Sequence, residues 1–127
     1  MNSLKSLKFS YLRLKNSKSF SFVIKKGRRF VSPNFFVYLL DLSYLNNYNG
    51  DMKFKLAITV SRRCGSAVKR NRIKRLIREF FRLNQRRINN NLWFVIRIKD
   101  NCNVIKYRDI SDEFEKLFVK ANIFRAD

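Results

Sequence analysis

Ser61-Arg62-Arg63-Cys64-Gly65-Ser66-Ala67-Val68-Lys69-Arg70-Asn71-Arg72-Ile73-Lys74-Arg75-Leu76-Ile77-Arg78-Glu79-Phe80-Phe81-Arg82 is the stretch on which the reading of this chain turns. Set on a helix at about 100° per residue, residues 67–83 separate into two faces. Ile73, Leu76, Ile77, Phe80 and Phe81 fall together on one side, which predicts a helix laid on a sheet. Asn71, Lys74, Arg75, Arg78 and Arg82 fall on the other, flanked by Arg70 and Arg72, and only Glu79 interrupts the basic side. The spacing predicts a helix over roughly 67–88, stopped by Asn89-Asn90-Asn91.

Like charges at i,i+3 and i,i+4 repel. A helix carrying so many on one side is tolerated when a phosphate backbone supplies the counter-charge; a face kept basic only for solubility would mix in more acids. Arg outnumbers Lys on it, and the guanidinium fork suits bidentate phosphate contacts and stacking on bases. Arg62 and Arg63 extend the basic surface into the preceding turn. Gly65 and Ser66 stand at the helix N-terminus, where free backbone N–H groups can hold a phosphate oxygen and Ser66 can also serve as an ordinary N-cap.

Upstream, Phe54, Leu56, Ile58 and Val60 alternate with Lys55, Ala57 and Thr59, a strand with one buried face. Asn46 to Asp51 reads as a loop on turn chemistry. Phe30 to Leu42 is rich in aromatic and β-branched residues and reads as one strand, with Pro33 near its start. Ser17 can cap a short helix over roughly 18–26 that places Phe20, Val23 and Ile24 on one face and stops at Gly27. Residues 1–11 read as a basic arm, and residues 12–127 as one domain.

Downstream, Leu92 to Lys99 makes another strand, with Trp93, Val95 and Arg97 on one face and Leu92, Phe94, Ile96 and Ile98 on the other. Residues 100–106 form a loop. A last helix over about Asp109 to Ala121 uses Ile110, Phe114, Leu117 and Phe118 as its apolar stripe, with Ser111 and Glu115 in its capping region. The expected fold is α+β: a single domain in the order α-β-β-α-β-α, a small mixed sheet packed by helices.

Composition narrows the function. The chain has 127 residues, 46% of them hydrophobic, enough for one modest core. Twenty-nine Lys and Arg face nine Asp and Glu, for a net charge of +20, so the domain calls for a polyanionic partner. Nucleic acid is the leading candidate and an anionic membrane the alternative, but a helix lying on a membrane needs the apolar face that the core requires. No run approaches the ~20 apolar residues of a bilayer span. Residues 1–40 contain no acidic residue and many Ser, Lys and Arg, a composition shared with mitochondrial transit peptides and equally with the domain's own first helix and strand. The absence of His removes the commonest general base and two likely zinc ligands. Cys64 and Cys102 read as two reduced thiols, and the scattered acids form no hydrolytic pair.

The run from Ser61 to Glu79, with Arg70-Asn71-Arg72 followed by Ile-Lys-Arg and Arg78, resembles the signature of the bacterial ribonuclease P protein subunit. Arg13-Leu14-Lys15, Phe20, Lys26-Gly27 and Phe35-Phe36-Val37-Tyr38 follow that family's spacing upstream, and the resemblance spans roughly residues 12–121. It implies a left-handed βαβ crossover around the long helix. It implies that Arg62, Arg63, Arg70, Asn71, Arg72, Lys74, Arg75, Arg78 and Arg82 meet a catalytic RNA. It further implies a cleft for the single-stranded 5′ leader of precursor tRNA, formed by Phe20, Ile24, Phe35, Tyr38, Lys55 and Thr59. Ile24 stands where the family often has an aromatic residue, and Ala57 where Gly is expected. The protein would bind no cofactor alone, Mg²⁺ entering the holoenzyme through the RNA subunit that performs hydrolysis, in the cytoplasm, with no membrane or DNA partner. A general basic RNA-binding module, such as a ribosomal protein or chaperone, shares the charge but does not predict the helix signature.

Overall fold

A computed structural model describes residues 13–14, 17–44, 53–104 and 106–124. The basic arm expected over 1–11 and the loop expected over 46–51 lie outside them. The elements are α1 (Ser17–Lys26), β1 (Arg28–Val31), β2 (Phe35–Asp41), β3 (Lys55–Val60), α2 (Ala67–Leu83), β4 (Leu92–Ile98) and α3 (Tyr107–Lys120), with 3-10 turns at Leu42–Tyr44 and Arg62–Cys64. The sheet has four strands in the order β1-β2-β4-β3; β1, β2 and β4 pair antiparallel, and β3 joins β4 in parallel through α2.

Three boundaries differ from the sequence reading, each for a local reason. The single strand expected from Phe30 to Leu42 is a hairpin, because Ser32-Pro33-Asn34 turns the chain. The Ser32 N–H donates to the Phe35 carbonyl at 2.9 Å, and Pro33, which has no N–H, sits where no ladder bond is needed. Helix α2 stops at Leu83, not near residue 88, because the Asn84 side chain donates to the Phe80 carbonyl at 2.8 Å and closes the last turn. Helix α3 starts at Tyr107, two residues before the expected Asp109. The Asp109 carboxylate reaches back to accept from the Lys106 N–H at 3.1 Å, the role assigned to Ser111 and Glu115.

Alternation along the strands divides the sheet into two faces. Phe35, Val37 and Leu39 of β2, Leu56 of β3, and Leu92, Phe94, Ile96 and Ile98 of β4 bury themselves under α2 and α3. There they meet Ile73, Ile77, Phe80 and Phe81 of α2 and Ile110, Phe114, Leu117 and Phe118 of α3. The centre is a lattice of phenylalanines, with Phe81 to Phe94 at 5.1 Å and Phe35 to Phe114 at 4.9 Å between ring centroids. Tilted and edge-on pairs like these add to area burial.

The opposite face carries only α1 among the described helices. Val23 is fully buried beneath it, with Leu14 and Val95, and Phe20, Ile24, Tyr38, Leu40, Ala57 and Trp93 pack around them. Gly27 sets how close α1 comes: a Cβ there would stand 2.5 Å from the Val23 carbonyl oxygen and 2.8 Å from that of Leu39. Any side chain would push the end of α1 off β2.

Candidate nucleic-acid interface

The basic helix is aimed by its first turn. Ser61 accepts from the Arg63 N–H at 3.0 Å and its hydroxyl donates to the Asp100 carboxylate at 2.8 Å, tying the end of β3 to the loop after β4. Gly65 then adopts φ +141°, a region that favours glycine. Ser66 caps α2 by accepting from the Lys69 N–H at 3.2 Å. No acid occupies the first turn of α2 to offset its dipole, and Arg62 and Arg63 beside it are both exposed.

Burial of Ile73, Ile77, Phe80 and Phe81 fixes the rotation of α2. Asn71, Arg72, Arg75 and Arg82 are consequently exposed, and Arg70 is half-buried. Arg82 is not a free cation: Glu79, one turn earlier, holds it at 2.6 Å. That hydrogen bond lowers the Glu79 carboxyl below its ordinary value and raises the Arg82 guanidinium.

Lys74 and Arg78 behave differently from the rest of the basic side. They turn toward the β3 edge of the sheet and are half-buried. With Arg13, Leu14, Phe20 and the β3 residues Ala57 and Thr59 they line a cleft of about 600 Å³. The Leu14 N–H donates to the Leu56 carbonyl at 2.9 Å, which holds Arg13 against β3. Burial first, and the neighbouring Arg13 second, pull the Arg78 guanidinium below its ordinary value. Among the described residues no carboxylate forms an ion pair with either arginine. The cleft therefore presents three cations to an apolar and hydroxyl-bearing wall, a combination suited to an anionic strand with flat bases.

Of the residues expected to hold single-stranded RNA, Phe20 and Thr59 line this cleft. Tyr38 and Ile24 sit beside them in the layer under α1, and Lys55 lies on the same face of β3, two residues from Ala57. Phe35 does not join them. It is fully buried on the opposite face against Phe114 and has no surface to offer a base. Strand parity is the reason: Phe36, its neighbour, points to the α1 side.

Arg13, Arg29, Phe36, Arg97 and Lys99 also reach this side of the molecule, although none was expected to hold RNA. Arg97 lies over Tyr38 at 6.0 Å, and Arg29 and Lys99 lie over Phe36 at 4.6 and 4.9 Å. For Phe36, Arg97 and Lys99 the signal was the period-two alternation of β2 and β4, which places Phe36 with Tyr38, and Arg97 and Lys99 with Val95.

Among the described residues no group of His, Cys, Asp or Glu could hold a metal ion, and no helix is long and apolar enough to cross a membrane. The α1 side of the sheet and the open side of α2 carry cations and aromatic rings.

The family model for ribonuclease P matches residues 10–122. The chain is 37% identical over 109 residues to a ribonuclease P protein component of Syntrophus aciditrophicus, covering 85% of each chain. It is 33% identical over 111 residues to that of Clostridium acetobutylicum, covering 87% of this chain and 89% of the relative. The fold is similar to the solved structure of the Staphylococcus aureus RNase P protein, with a TM-score of 0.76 at 27% identity over 90% of this chain and 98% of that one.

Proposed function

The chain belongs to the ribonuclease P protein family, and from that premise we propose that it is the protein subunit of the ribonucleoprotein that removes the 5′ leader of precursor tRNA. It binds the catalytic RNA through Arg62, Arg63, Arg70, Asn71, Arg72 and Arg75 on the open side of α2, with Arg82 in a lesser role because Glu79 competes for it. Lys74 and Arg78 face the cleft and serve both partners. The leader lies along Phe20, Ile24, Tyr38, Lys55 and Thr59, and Phe35 is withdrawn from that set.

The observation that supports this reading most directly is the cleft itself. Three cations from α2 and the strand-bound segment before α1 meet Phe20, Ala57 and Thr59 there. A flexible single strand leaving a folded RNA docked on α2 would enter this cleft with its phosphates already neutralised. The protein thereby lowers the electrostatic cost of bringing two polyanions together and fixes the leader's path.

Phosphodiester hydrolysis belongs to the RNA subunit, with Mg²⁺ held by that RNA supplying the Lewis acid and the activated water. The protein's part in the reaction is positioning. The partners are the ribonuclease P RNA and precursor tRNA, met in the cytoplasm, with no role for DNA or membrane.

With about five phosphates contacted, the affinity for RNA falls with salt at a log–log slope of roughly 4. The decisive test is cleavage of a precursor tRNA at low Mg²⁺ by a bacterial ribonuclease P RNA, with and without the protein. A second arm carries Arg72→Ala, Arg75→Ala and Arg78→Ala together. Restored 5′ cleavage with the wild type and not with the triple variant supports the proposal. Tight RNA binding with cleavage indifferent to the protein makes it a general RNA-binding module instead.

A further inference from the structure

A second hollow, of about 670 Å³, lies between the β1–β2 hairpin and α3. Phe30, Val104 and Leu117 give it apolar walls, and Asp112, Lys116 and Lys120 stand exposed around it. Glu113 fixes its shape by accepting from the Asn34 N–H at 2.8 Å and from the Asn34 side-chain amide at 2.7 Å, which pins the hairpin tip to α3. Among its lining residues three acids, Asp109, Asp112 and Glu113, face two bases, on a chain in which 29 bases face nine acids. A rim of net negative sign does not attract a polyanion, whereas a protein segment carrying both signs can match it. Asp112 is open to such a match, since it forms no ion pair among the described residues.

Beside the hollow runs β1, an open edge of the sheet among the described residues. The Ser32 N–H donates to the Phe35 carbonyl, which makes Ser32 and Phe35 a hydrogen-bonded pair. Such pairs alternate along an antiparallel ladder. With Phe30 opposite Val37 and Val31 opposite Phe36, the backbone N–H and C=O groups of Arg29 and Val31 therefore turn away from β2. They face the open edge, where an extended chain can bond them. A second copy of this chain pairing through its own β1 would bring two further arginines there, and two chains at +20 repel. Edge and hollow together suit an extended segment of a different protein.

We propose that β1 and the hollow beside it form a docking site for an extended peptide segment of a protein partner. The segment adds a strand to β1 and sets one apolar side chain into the hollow. The residues two positions to either side share that face of the strand; one is a cation directed to Asp112, the other an acid directed to Lys116 and Lys120. The site stands at the opposite edge of the sheet from β3 and its cleft, three strand spacings or about 14 Å away. It stays open when α2 and the cleft hold RNA, and so it joins a protein to the ribonucleoprotein without displacing either RNA.

The probes are synthetic peptides centred on Lys-Val-Phe-Val-Glu and on its reverse, because β1 can accept a strand in either direction. Titrated into the isotope-labelled full chain, one of them should move the NMR amide signals of Phe30, Val31, Ser32 and α3. Fluorescence anisotropy should give the same Kd with a ribonuclease P RNA bound. Val31→Pro removes an outward N–H and no ladder bond, and should weaken binding roughly 2- to 10-fold, the range for one hydrogen bond. A fully N-methylated peptide makes the same test from the partner's side, whatever Val31→Pro does to the fold. Asp112→Lys, at an exposed position, should weaken binding roughly fivefold with the thermal unfolding temperature unchanged. No binding of either peptide at millimolar concentration overturns the proposal. A Kd indifferent to Val31→Pro and to N-methylation also overturns it, and leaves a pocket for a small apolar molecule. Loss of the peptide on addition of the RNA, or a uridine oligonucleotide moving the same signals, gives the surface to RNA instead.

Discussion

Replacing Arg78 with methionine should move stability and RNA affinity in opposite directions. The guanidinium is half-buried in the cleft, faces Arg13, and has no carboxylate paired with it among the described residues. In the free protein it is a partly desolvated cation beside a like charge. Methionine keeps the apolar stem and drops the charge. Relief of desolvation and repulsion, discounted for solvent screening, is worth about 0.5 kcal/mol, or roughly 2 °C in Tm for a domain of this size. In the complex the same substitution removes a charge-assisted phosphate contact, about 1.5–3 kcal/mol and so roughly 10- to 100-fold in Kd. It also lowers the log–log salt slope by about 0.7 for a single-stranded partner. Calorimetry of the free protein at low and high salt, beside Kd for precursor tRNA, gives both signs, and the gain in Tm should shrink as salt screens the arginine pair. A Tm several degrees lower with RNA binding unchanged would refute the reasoning and make Arg78 a structural prop.

Phe35→Ala should cost about 3–5 kcal/mol in urea unfolding, the range for a fully buried phenylalanine, and lower affinity for short and long leaders by the same factor. Glu79→Gln should tighten binding to the RNA subunit, because it removes the acid from α2 and frees Arg82; filter binding at low salt measures it. The pair's small contribution is present above the ordinary carboxylate range and is lost as pH falls through the lowered Glu79 value, so acidification should mimic the substitution. Cys64 and Cys102 are buried, and burial pushes the Cys102 thiol up. Neither should react with a thiol reagent near neutral pH until the protein is unfolded.

Helix α2 was legible because its apolar residues recur at helical spacing from Ile73 to Phe81, about two and a half turns, which fixes both its rotation and its basic side. The hairpin was less so. Phe30 to Leu42 has an almost continuous apolar character, and Ser32-Pro33-Asn34 reads equally as the start of a strand or as a turn; a tertiary partner, Glu113, settles it by accepting from Ser32 and Asn34. Phe35 was misplaced for a related reason. Strand parity shows that Phe35 and Tyr38 lie on opposite faces, but which face is open depends on where α1 and α3 pack. The cleft between Lys74, Arg78 and Arg13 was hidden because it joins residues about sixty positions apart through a strand edge.

The sheet order has a consequence for synthesis. Strand β2 lies beside β4, not β3, and β3 also takes its hydrogen bonds from β4. During translation the basic helix therefore leaves the ribosome before β4, the strand that joins β2 to β3, has emerged. Until Ile98 has emerged, β3 has only the Arg13–Leu14 segment to bond and α2 has no completed floor, although its arginines are already exposed beside the RNA of the ribosome. Long-range pairing of this kind is slow, so the nascent chain passes through a stage of high charge and little structure. On the proposed function, discrimination between the proper RNA and any nearby one should begin only once β4 has closed the sheet.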